Sequence, residues 1–430
     1  MLESRAYFFR DMGSKRLIFI VGLISFLNAL TLGAIIPVIY TYASSFDLND
    51  ASIGVLFATF SLAQFFATPV IGRLSDKYGR KPLLVISLSG TFVASLIQAF
   101  ATSGWMLFLG RFLDGITGGN NSVAQAVIVD SVEEKDRPFG FAVFGAGFGL
   151  GFLVGPVISL FISKIGNSYV FSFSALLALV TTLIALFVLP ETNLNRETKP
   201  LNFVEVLFLE IFRAMKMPII RDILLINFIT ALSTAIFQIA FQPYITVNFG
   251  YGQDHISYVL ILNGVISIAF LGFVKRLSDK FGLNNLLRLT FLIRFLTFLV
   301  LAVIVNKLIF WIVMVVLGFI NLFSRPVIST MISNYSRKED QGTVIGVAES
   351  MFSLGLIIGP SLFSLTSLPK NSGFSLGSQT LTNLLINSAN NYTLAFYLMA
   401  VISLCAFVYV LRFTAIVEKM FSTHKKEIDF

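Results

Sequence analysis

RLSDKYG, from Arg73 to Gly79, is a short polar stretch between two long apolar segments, and it recurs almost unchanged as RLSDKFG from Arg276 to Gly282. The two copies start 203 residues apart. A second pair of stretches, GFLVGP from Gly151 and GLIIGP from Gly355, repeats at an offset of 204 residues. Convergent loop chemistry explains one such match, but it does not explain several matches at nearly the same offset.

A third match extends the repeat. EEKDRPFGFAV from Glu133 corresponds to RKEDQGTVIGV from Arg337 at the same offset of 204 residues, which aligns Asp136 with Asp340. Three matches in the same order predict a duplicated unit of about 200 residues. If each unit contains six membrane spans, the two halves have the same orientation in the membrane, as in transporters built from parallel repeats.

The composition indicates that the duplicated units lie in a membrane. Of the 430 residues, 56% are hydrophobic and 13% are charged, whereas about 25% of the residues in soluble domains are charged. Apolar runs of about 20 residues recur along the chain, and a helix of this length crosses the hydrocarbon layer. We therefore predict an all-α membrane protein with twelve transmembrane helices, near residues 17–44, 50–71, 83–102, 105–129, 139–163, 168–190, 222–249, 254–275, 285–305, 308–333, 341–367 and 391–416.

The basic residues predict the orientation of these helices. If both termini lie on one side, 25 of the 31 Lys and Arg residues lie on that side. The positive-inside rule then places both termini in the cytoplasm. The net charge of +8 is explained by this orientation, so we predict no nucleic-acid partner. Three Lys residues lie on the opposite side and three Arg residues lie within the spans: Lys164, Lys307 and Lys370, and Arg111, Arg294 and Arg325.

Few residues are available for metal binding or covalent chemistry. Cys405 is the one cysteine, so an intramolecular disulfide and a cysteine metal cluster are excluded. The chain has two histidines, His255 and His424, which gives little support for a histidine metal site or a catalytic triad. The sequence contains no phosphate-binding loop of the Walker type, which argues against ATP as the energy source. We expect no enzyme activity, no cofactor and no metal.

The repeat also predicts the domain boundaries. Residues 1–190 form the first six-helix bundle, residues 191–220 a cytoplasmic linker, and residues 221–430 the second six-helix bundle. The linker begins with a polar segment and continues from Phe203 to Met215 with apolar residues along one helical face. We expect this part to form a helix on the membrane surface.

Three motifs resemble those of a known family. GRLSDKYGRKP, from Gly72 to Pro82, is similar to the loop signature of the major facilitator superfamily. GRFLDGITGG from Gly110 and GFLVGP from Gly151 resemble signatures of its proton-coupled drug antiporters, and the tetracycline-exporter-like branch is the most similar. The resemblance covers essentially the whole chain. It implies two pseudo-symmetric halves around a central cavity, transport by alternating access, and a monomer in the membrane lipid.

The resemblance gives the loop signature a gating role. It implies that Asp76 faces the N-terminal end of the eleventh helix. Arg80 is then placed to bridge Asp76 to Asp130 and hold the cytoplasmic side closed. In the second copy Arg80 corresponds to Leu283 and Asp130 to Asn334, so we expect a charge relay in the first half alone. We also expect the two glycines of the motif to allow close packing and a tight turn. The candidate gating residues are Gly72, Asp76, Gly79, Arg80, Lys81, Asp130 and Asp279.

Charged and polar residues inside the spans are candidates for proton coupling and substrate binding, because such residues at membrane depth usually face a partner or a water-filled cavity. Arg111, Asp114 and Glu349 are the candidate coupling residues. Spacing and the family resemblance indicate a substrate cavity lined by helices one, four, seven and ten. We assign to it Asn28, Asn121, Gln125, Gln238, Gln242, Arg294, Asn321 and Arg325. Structural ion pairs remain an alternative for all the charged residues.

The sequence departs from the tetracycline exporters at two acids. By the resemblance, their acids in helices one and three correspond to Asn28 and Ala94, which makes tetracycline a doubtful substrate. The predicted spans contain three arginines and two acids, and this excess of positive charge would suit an anionic or zwitterionic organic solute. The leading hypothesis is a secondary active transporter of the bacterial inner membrane that exports a small organic solute or drug in exchange for protons. Uptake of a metabolite or siderophore with protons is one alternative, and a transport-inactive receptor is another.

Overall fold

The computed structural model describes residues 14–131, 137–193, 210–270, 276–278, 280–336, 341–366 and 391–428. These residues are helical almost throughout and contain no β-strand. The helices, in chain order, are α1 Ser14–Ile35, α2 Ile39–Ser44, α3 Asp50–Tyr78, α4 Arg80–Ala99, α5 Gly104–Ile116, α6 Asn120–Ser131, α7 Arg137–Ile162, α8 Asn167–Phe187, α9 Glu210–Met215, α10 Pro218–Phe249, α11 Gln253–Ala269, α12 Leu283–Val303, α13 Lys307–Tyr335, α14 Gln341–Thr366 and α15 Asn391–Ile428.

Each of the twelve predicted spans coincides with helical residues. Within the described ranges, nine helices are long and apolar enough to cross a membrane. The fourth span corresponds to the shorter helices α5 and α6, the eighth to α11, which has 17 residues, and the eleventh to α14. The first and fourth spans are each divided into two helices, a feature that the sequence analysis did not predict. In the first span the division between α1 and α2 lies at residues 36–38, where Pro37 lacks a backbone donor.

The chain divides into two compact units. The first comprises the described residues of Met1–Asn49, Thr59–Leu207 and Gln253–Gly264, and the second those of Asp50–Ala58, Phe208–Gly252 and Val265–Phe430. Helices α3 and α11 therefore each contribute to both units. Of the predicted amphipathic linker helix, the structure describes the six residues of α9, and the rest lies outside the described residues.

The core of the first unit is a cluster of buried aliphatic side chains from α1, α4, α6 and α8, which includes Val21, Ile24, Leu84, Val123 and Ala185. Helix α7 packs closely along α1 because glycines face the contact. A Cβ atom at Gly155 would lie 2.6 Å from the backbone nitrogen of Ala34, a separation too short for any side chain. The small residues of GFLVGP thus allow the two backbones to approach.

The second unit repeats this arrangement with the corresponding helices. Its core includes Ile223, Leu287, Val327, Val347 and Val410, from α10, α12, α13, α14 and α15. A Cβ atom at Gly355 of α14 would lie 2.7 Å from the carbonyl oxygen of Phe228 in α10. The second glycine-containing stretch therefore packs its helix as the first does. The duplicated sequence produces a duplicated helix contact.

Candidate functional site

The loop between α3 and α4 brings three charged side chains together. Gly79 separates the two helices with φ at +112°, a conformation that a residue with a Cβ rarely adopts. The next residue, Arg80, lies between two acids: its Nη1 is 2.6 Å from Oδ1 of Asp76, and its Nε is 2.7 Å from Oδ2 of Asp130. Nη1 also donates to the hydroxyl of Ser75, at 2.7 Å. The structure therefore contains the bridge between Asp76 and Asp130 that the loop signature suggested.

A carboxylate that the sequence analysis missed completes this cluster. Oε1 of Glu191 accepts hydrogen bonds from the backbone N–H of Arg80 at 2.8 Å and of Asn193 at 3.0 Å. Its negative charge is thus placed at the N-terminus of α4, where unpaired N–H groups and the helix dipole favour an anion. Nδ2 of Asn193 donates to the carbonyl oxygen of Asp76 at 2.8 Å. The polar sequence PETN directly after the sixth span was the available signal.

Three other candidate gating residues have different outcomes. The expectation of close packing at Gly72 is wrong for the described residues, because a Cβ atom there would have no neighbour within 4 Å. The reason is that α3 continues to Tyr78, so Gly72 lies within a helix and not in the turn. Lys81 is half-buried in the first turn of α4. Asp279 lies outside the described residues.

The second copy of the loop forms a similar turn without the relay. Gly282 also has a positive φ, at +74°, and α12 begins at the next residue. That residue, Leu283, occupies the position of Arg80 and packs against the apolar core of the second unit. Asn334, at the position of Asp130, is exposed. The residues shared by the two copies therefore specify the turn, whereas the side chains at the positions of Arg80 and Asp130 differ in chemistry.

The fourth predicted span is interrupted in its middle. Helix α5 ends at Ile116 and α6 begins at Asn120, so the prediction of one continuous helix over residues 105–129 is wrong. Side chains from α3 and α4 bind the backbone at the interruption. The carbonyl oxygen of Gly118 accepts from Nε2 of Gln64 at 3.2 Å, and that of Thr117 accepts from the hydroxyl of Ser87. These donors satisfy carbonyl groups that a continuous helix would pair internally.

The interruption separates two groups of candidate residues in the fourth span. On its N-terminal side, Nη1 of Arg111 lies 3.7 Å from Oδ2 of Asp114, and each side chain is 8% exposed. The guanidinium of Arg111 lies 4.1 Å from the ring centre of Phe60 in α3, and the carboxyl group of Asp114 is hydrogen-bonded to the side chain of Thr91 in α4. This pair is therefore enclosed among α3, α4 and α5.

On the C-terminal side of the interruption, three amides form a chain with α1. Nδ2 of Asn120 donates to Oδ1 of Asn28 at 2.9 Å, and Nδ2 of Asn28 donates to Oδ1 of Asn121 at 3.2 Å. Asn120 was not among the predicted site residues. Gln125, further along α6, is exposed and stands apart from the chain of amides.

The second unit contains the remaining candidate residues. In α10, Gln238 is exposed and Gln242 is buried. Glu349 is exposed on α14. Arg294 is buried in α12, and its Nη2 donates to Oδ1 of Asn321 in α13, at 3.0 Å. The side chain of Arg325 lies outside the described residues.

Comparison with known proteins identifies the family. A model of the Major Facilitator Superfamily matches residues 21–222 and matches again over residues 223–428. The chain belongs to the major facilitator superfamily. The resemblance inferred from the loop signature is therefore confirmed, and so is the all-α fold with two domains.

Similar proteins of this superfamily include drug exporters. The tetracycline resistance protein of class B from Escherichia coli is 32% identical over 352 residues, which cover 79% of this chain and 86% of that protein. Multidrug resistance protein 2 from Bacillus subtilis is 25% identical over 82% of this chain and 89% of its own. The crystal structure of the human organic anion transporter MFSD10 superimposes with a TM-score of 0.70 at 18% identity, over 93% of this chain and 99% of that one, which shows a common fold.

Proposed function

We propose that this protein is a proton-coupled exporter of small organic solutes that works by alternating access. Its similarity to tetracycline and multidrug resistance proteins over about four-fifths of the chain supports the direction of transport. The distribution of basic residues supports an inner-membrane protein with both termini in the cytoplasm. We further propose that it acts as a monomer, with the domain division near residues 190 and 220.

The observation that carries the proton coupling is the buried pair of Arg111 and Asp114. Both side chains are 8% exposed, and the 3.7 Å between them exceeds hydrogen-bond distance. Charged groups at membrane depth are costly, and an arginine beyond hydrogen-bond distance compensates the buried carboxylate less than a close ion pair would, which favours uptake of a proton. Protonation of Asp114 would neutralise it and release Arg111. The pair therefore has the chemistry of a switch that takes up a proton and changes the local charge.

The cluster at Arg80 supplies a gate for the same cycle. Its two ion pairs join the ends of α3, α4 and α6 on the side that the positive-inside rule assigns to the cytoplasm. In our proposal these pairs are intact when the cytoplasmic side is closed and are broken when it opens. The buried acid and the gate lie in the same unit.

The proposal is tested with purified protein in liposomes, with tetracycline and an aromatic carboxylate as probes and protein-free liposomes as the background. An exchanger accumulates a probe when the lumen is acidic, whereas a symporter does so when the exterior is acidic. We expect accumulation with an acidic lumen. A probe flux that ignores both gradients contradicts proton coupling, and accumulation driven by an acidic exterior contradicts export.

The role of Asp114 is tested by Asp114→Asn, which keeps the shape of the side chain and removes its charge. We expect gradient-driven accumulation to fall at least about tenfold, the effect of about 1.4 kcal/mol, while exchange of labelled for unlabelled probe without a gradient continues. Glu418→Gln is the matched control, because Glu418 is a half-exposed acid paired with Arg288. Full gradient-driven accumulation by Asp114→Asn would show that another group carries the proton.

A further inference from the structure

The second unit contains a buried arginine that pairs with none of the acids in the described part of the chain. Arg294, in the middle of α12, is 3% exposed. Its Nη2 donates to Oδ1 of Asn321 at 3.0 Å and approaches the hydroxyl of Ser324 at 3.5 Å. Among the described residues, Nε and Nη1 have no hydrogen-bond partner. The guanidinium therefore retains unused donors and an uncompensated positive charge.

Two other arginines of the described chain, one buried and one partly buried, have acidic partners. Arg111 lies 3.7 Å from Asp114 and over the ring of Phe60. Arg80 binds two carboxylates. Arginine keeps its proton inside proteins, and a buried charge without a partner destabilises a fold by several kcal/mol. An apolar residue of similar volume would make α12 more stable, so the unpaired guanidinium is best explained by an anion that is supplied from outside the chain.

The surroundings of Arg294 offer a polar route for such an anion. Asn321, which holds its Nη2, is exposed on α13. Further along the same helix Ser329 and Thr330 are exposed as well. An amide exposed in the middle of a membrane span is costly against lipid and is expected where the helix borders water. The guanidinium is thus one hydrogen bond away from an exposed polar side chain.

The depth of Arg294 in the membrane narrows the choice of anion. It is eleven residues from the start of α12 at Leu283, which is about 16 Å along the helix. Lipid headgroups lie at the ends of a span of this length, so a lipid phosphate cannot reach the site. The ring of Phe291 lies 6.0 Å from the guanidinium carbon. An organic anion with a carboxylate and an apolar body fits these surroundings. Its carboxylate would meet the guanidinium and the amide of Asn321, and its apolar body would meet the ring of Phe291.

We propose that Arg294, with Asn321 and Ser324, forms a binding subsite for the carboxylate of an organic anion carried by this protein. The free Nε and Nη1 donate to the carboxylate oxygens, and its charge compensates the guanidinium. This inference rests on the proposed transport function and specifies the class of solute. Arg294 is a residue that selects the solute, distinct from the Arg111–Asp114 pair to which we assign the proton.

Equilibrium binding to the purified full-length protein tests the subsite, with benzoate as the probe and benzamide as its uncharged counterpart. Arg294→Gln should weaken benzoate binding at least tenfold and leave benzamide binding unchanged. Arg288→Gln is the matched control, since it removes the same charge from the same helix at a position that binds Glu418 and Thr414. We expect its benzoate affinity to stay within twofold of the unmodified protein.

The thermal stability of the ligand-free protein separates ligand binding from a structural role. If Arg294 awaits an anion, Arg294→Gln raises the melting temperature without ligand and abolishes the stabilisation by benzoate. If Arg294 serves only to join α12 to α13, the same change lowers the melting temperature. The proposal is overturned by that decrease, by equal binding of benzoate and benzamide to the unmodified protein, or by unchanged benzoate binding in Arg294→Gln. Because no pH gradient is applied, loss of proton-driven transport would leave this result unaffected.

Discussion

The relay at Arg80 is tested by Asp130→Asn, which preserves the shape of the side chain and removes its charge. Nε of Arg80 lies 2.7 Å from Oδ2 of Asp130, and Nη1 lies 2.6 Å from Oδ1 of Asp76. The side chain of Arg80 is 11% exposed, that of Asp130 is 22% exposed and that of Asp76 is 34% exposed. The pairs are therefore partly shielded from water, and the two acids differ in how much solvent screens them.

The free energy that Asp130→Asn is expected to cost follows from the intermediate burial of the two ion pairs. Exposed ion pairs contribute about 0.2–1 kcal/mol, whereas removing one partner of a fully buried pair costs about 3–5 kcal/mol. A charge-assisted hydrogen bond with the geometry of Arg80 and Asp130 contributes about 1.5–3 kcal/mol. Solvent reaches Asp130, so we expect a loss near the lower end, about 1.5 kcal/mol. If the pair forms only when the cytoplasmic side is closed, the balance between closed and open states shifts about tenfold.

The assay is a double-mutant cycle on the rate of transport into liposomes, with Arg80→Gln, Asp130→Asn and the combined variant. If Asp130 acts through Arg80, the combined variant is no slower than Arg80→Gln alone, and the coupling energy is about 1 kcal/mol or more. As a control, the transport rate of Asp76→Asn is compared with that of Asp279→Asn, the same change in the second copy of the loop. Additive effects in the cycle, or equal losses in Asp76→Asn and Asp279→Asn, would refute the proposal of an asymmetric relay.

Two further predictions concern packing and the carboxylate at α4. Gly155→Val should lower the melting temperature by several degrees, because overpacking typically costs about 1–3 kcal/mol and a Cβ atom there would lie 2.6 Å from the backbone of Ala34. Gly149→Val in the same helix, where a Cβ atom meets nothing within 4 Å, should change it little, and equal decreases would contradict the close contact. Glu191→Gln should slow transport in liposomes more than Glu418→Gln does, since Glu191 binds the first turn of α4. Equal rates in these two variants would show that the carboxylate is not needed for gating.

The positions of the helices were predictable because the membrane imposes a simple rule. A segment must be apolar over about 20 residues and must satisfy its own backbone, and both properties are visible in the sequence. The interruption of the fourth span was not predictable in this way. Its donors, Gln64 and Ser87, are 54 and 30 residues away from the carbonyl groups that they bind. The pair Gly118–Gly119 was a local sign, but glycine pairs also occur in continuous membrane helices.

The candidate site shows the same division between local and distant signals. Asp76 and Arg80 belong to one motif and are close in sequence, and Asp130 was suggested by the family resemblance. The structure brings the three side chains together. Glu191 was missed because its partners are backbone N–H groups of Arg80 and Asn193, so the polar stretch PETN marked the segment but did not reveal what it binds. Arg294 was assigned to the cavity from its charge, but the structure was needed to see that none of the described acids pairs with it.

The two copies of the loop show how a repeated sequence acquires unequal side-chain contacts. Both copies end at a glycine with positive φ, Gly79 and Gly282, so the shared residues produce the same change in chain direction. The residue that follows begins the next helix in each unit. In the first unit it is Arg80, which binds acids from two helices, and in the second it is Leu283, which packs into the core. In our proposal, opening the first loop breaks ion pairs, whereas moving the second exposes apolar surface. The proposed ionic gate then lies at the first loop, and a passive hinge at the second.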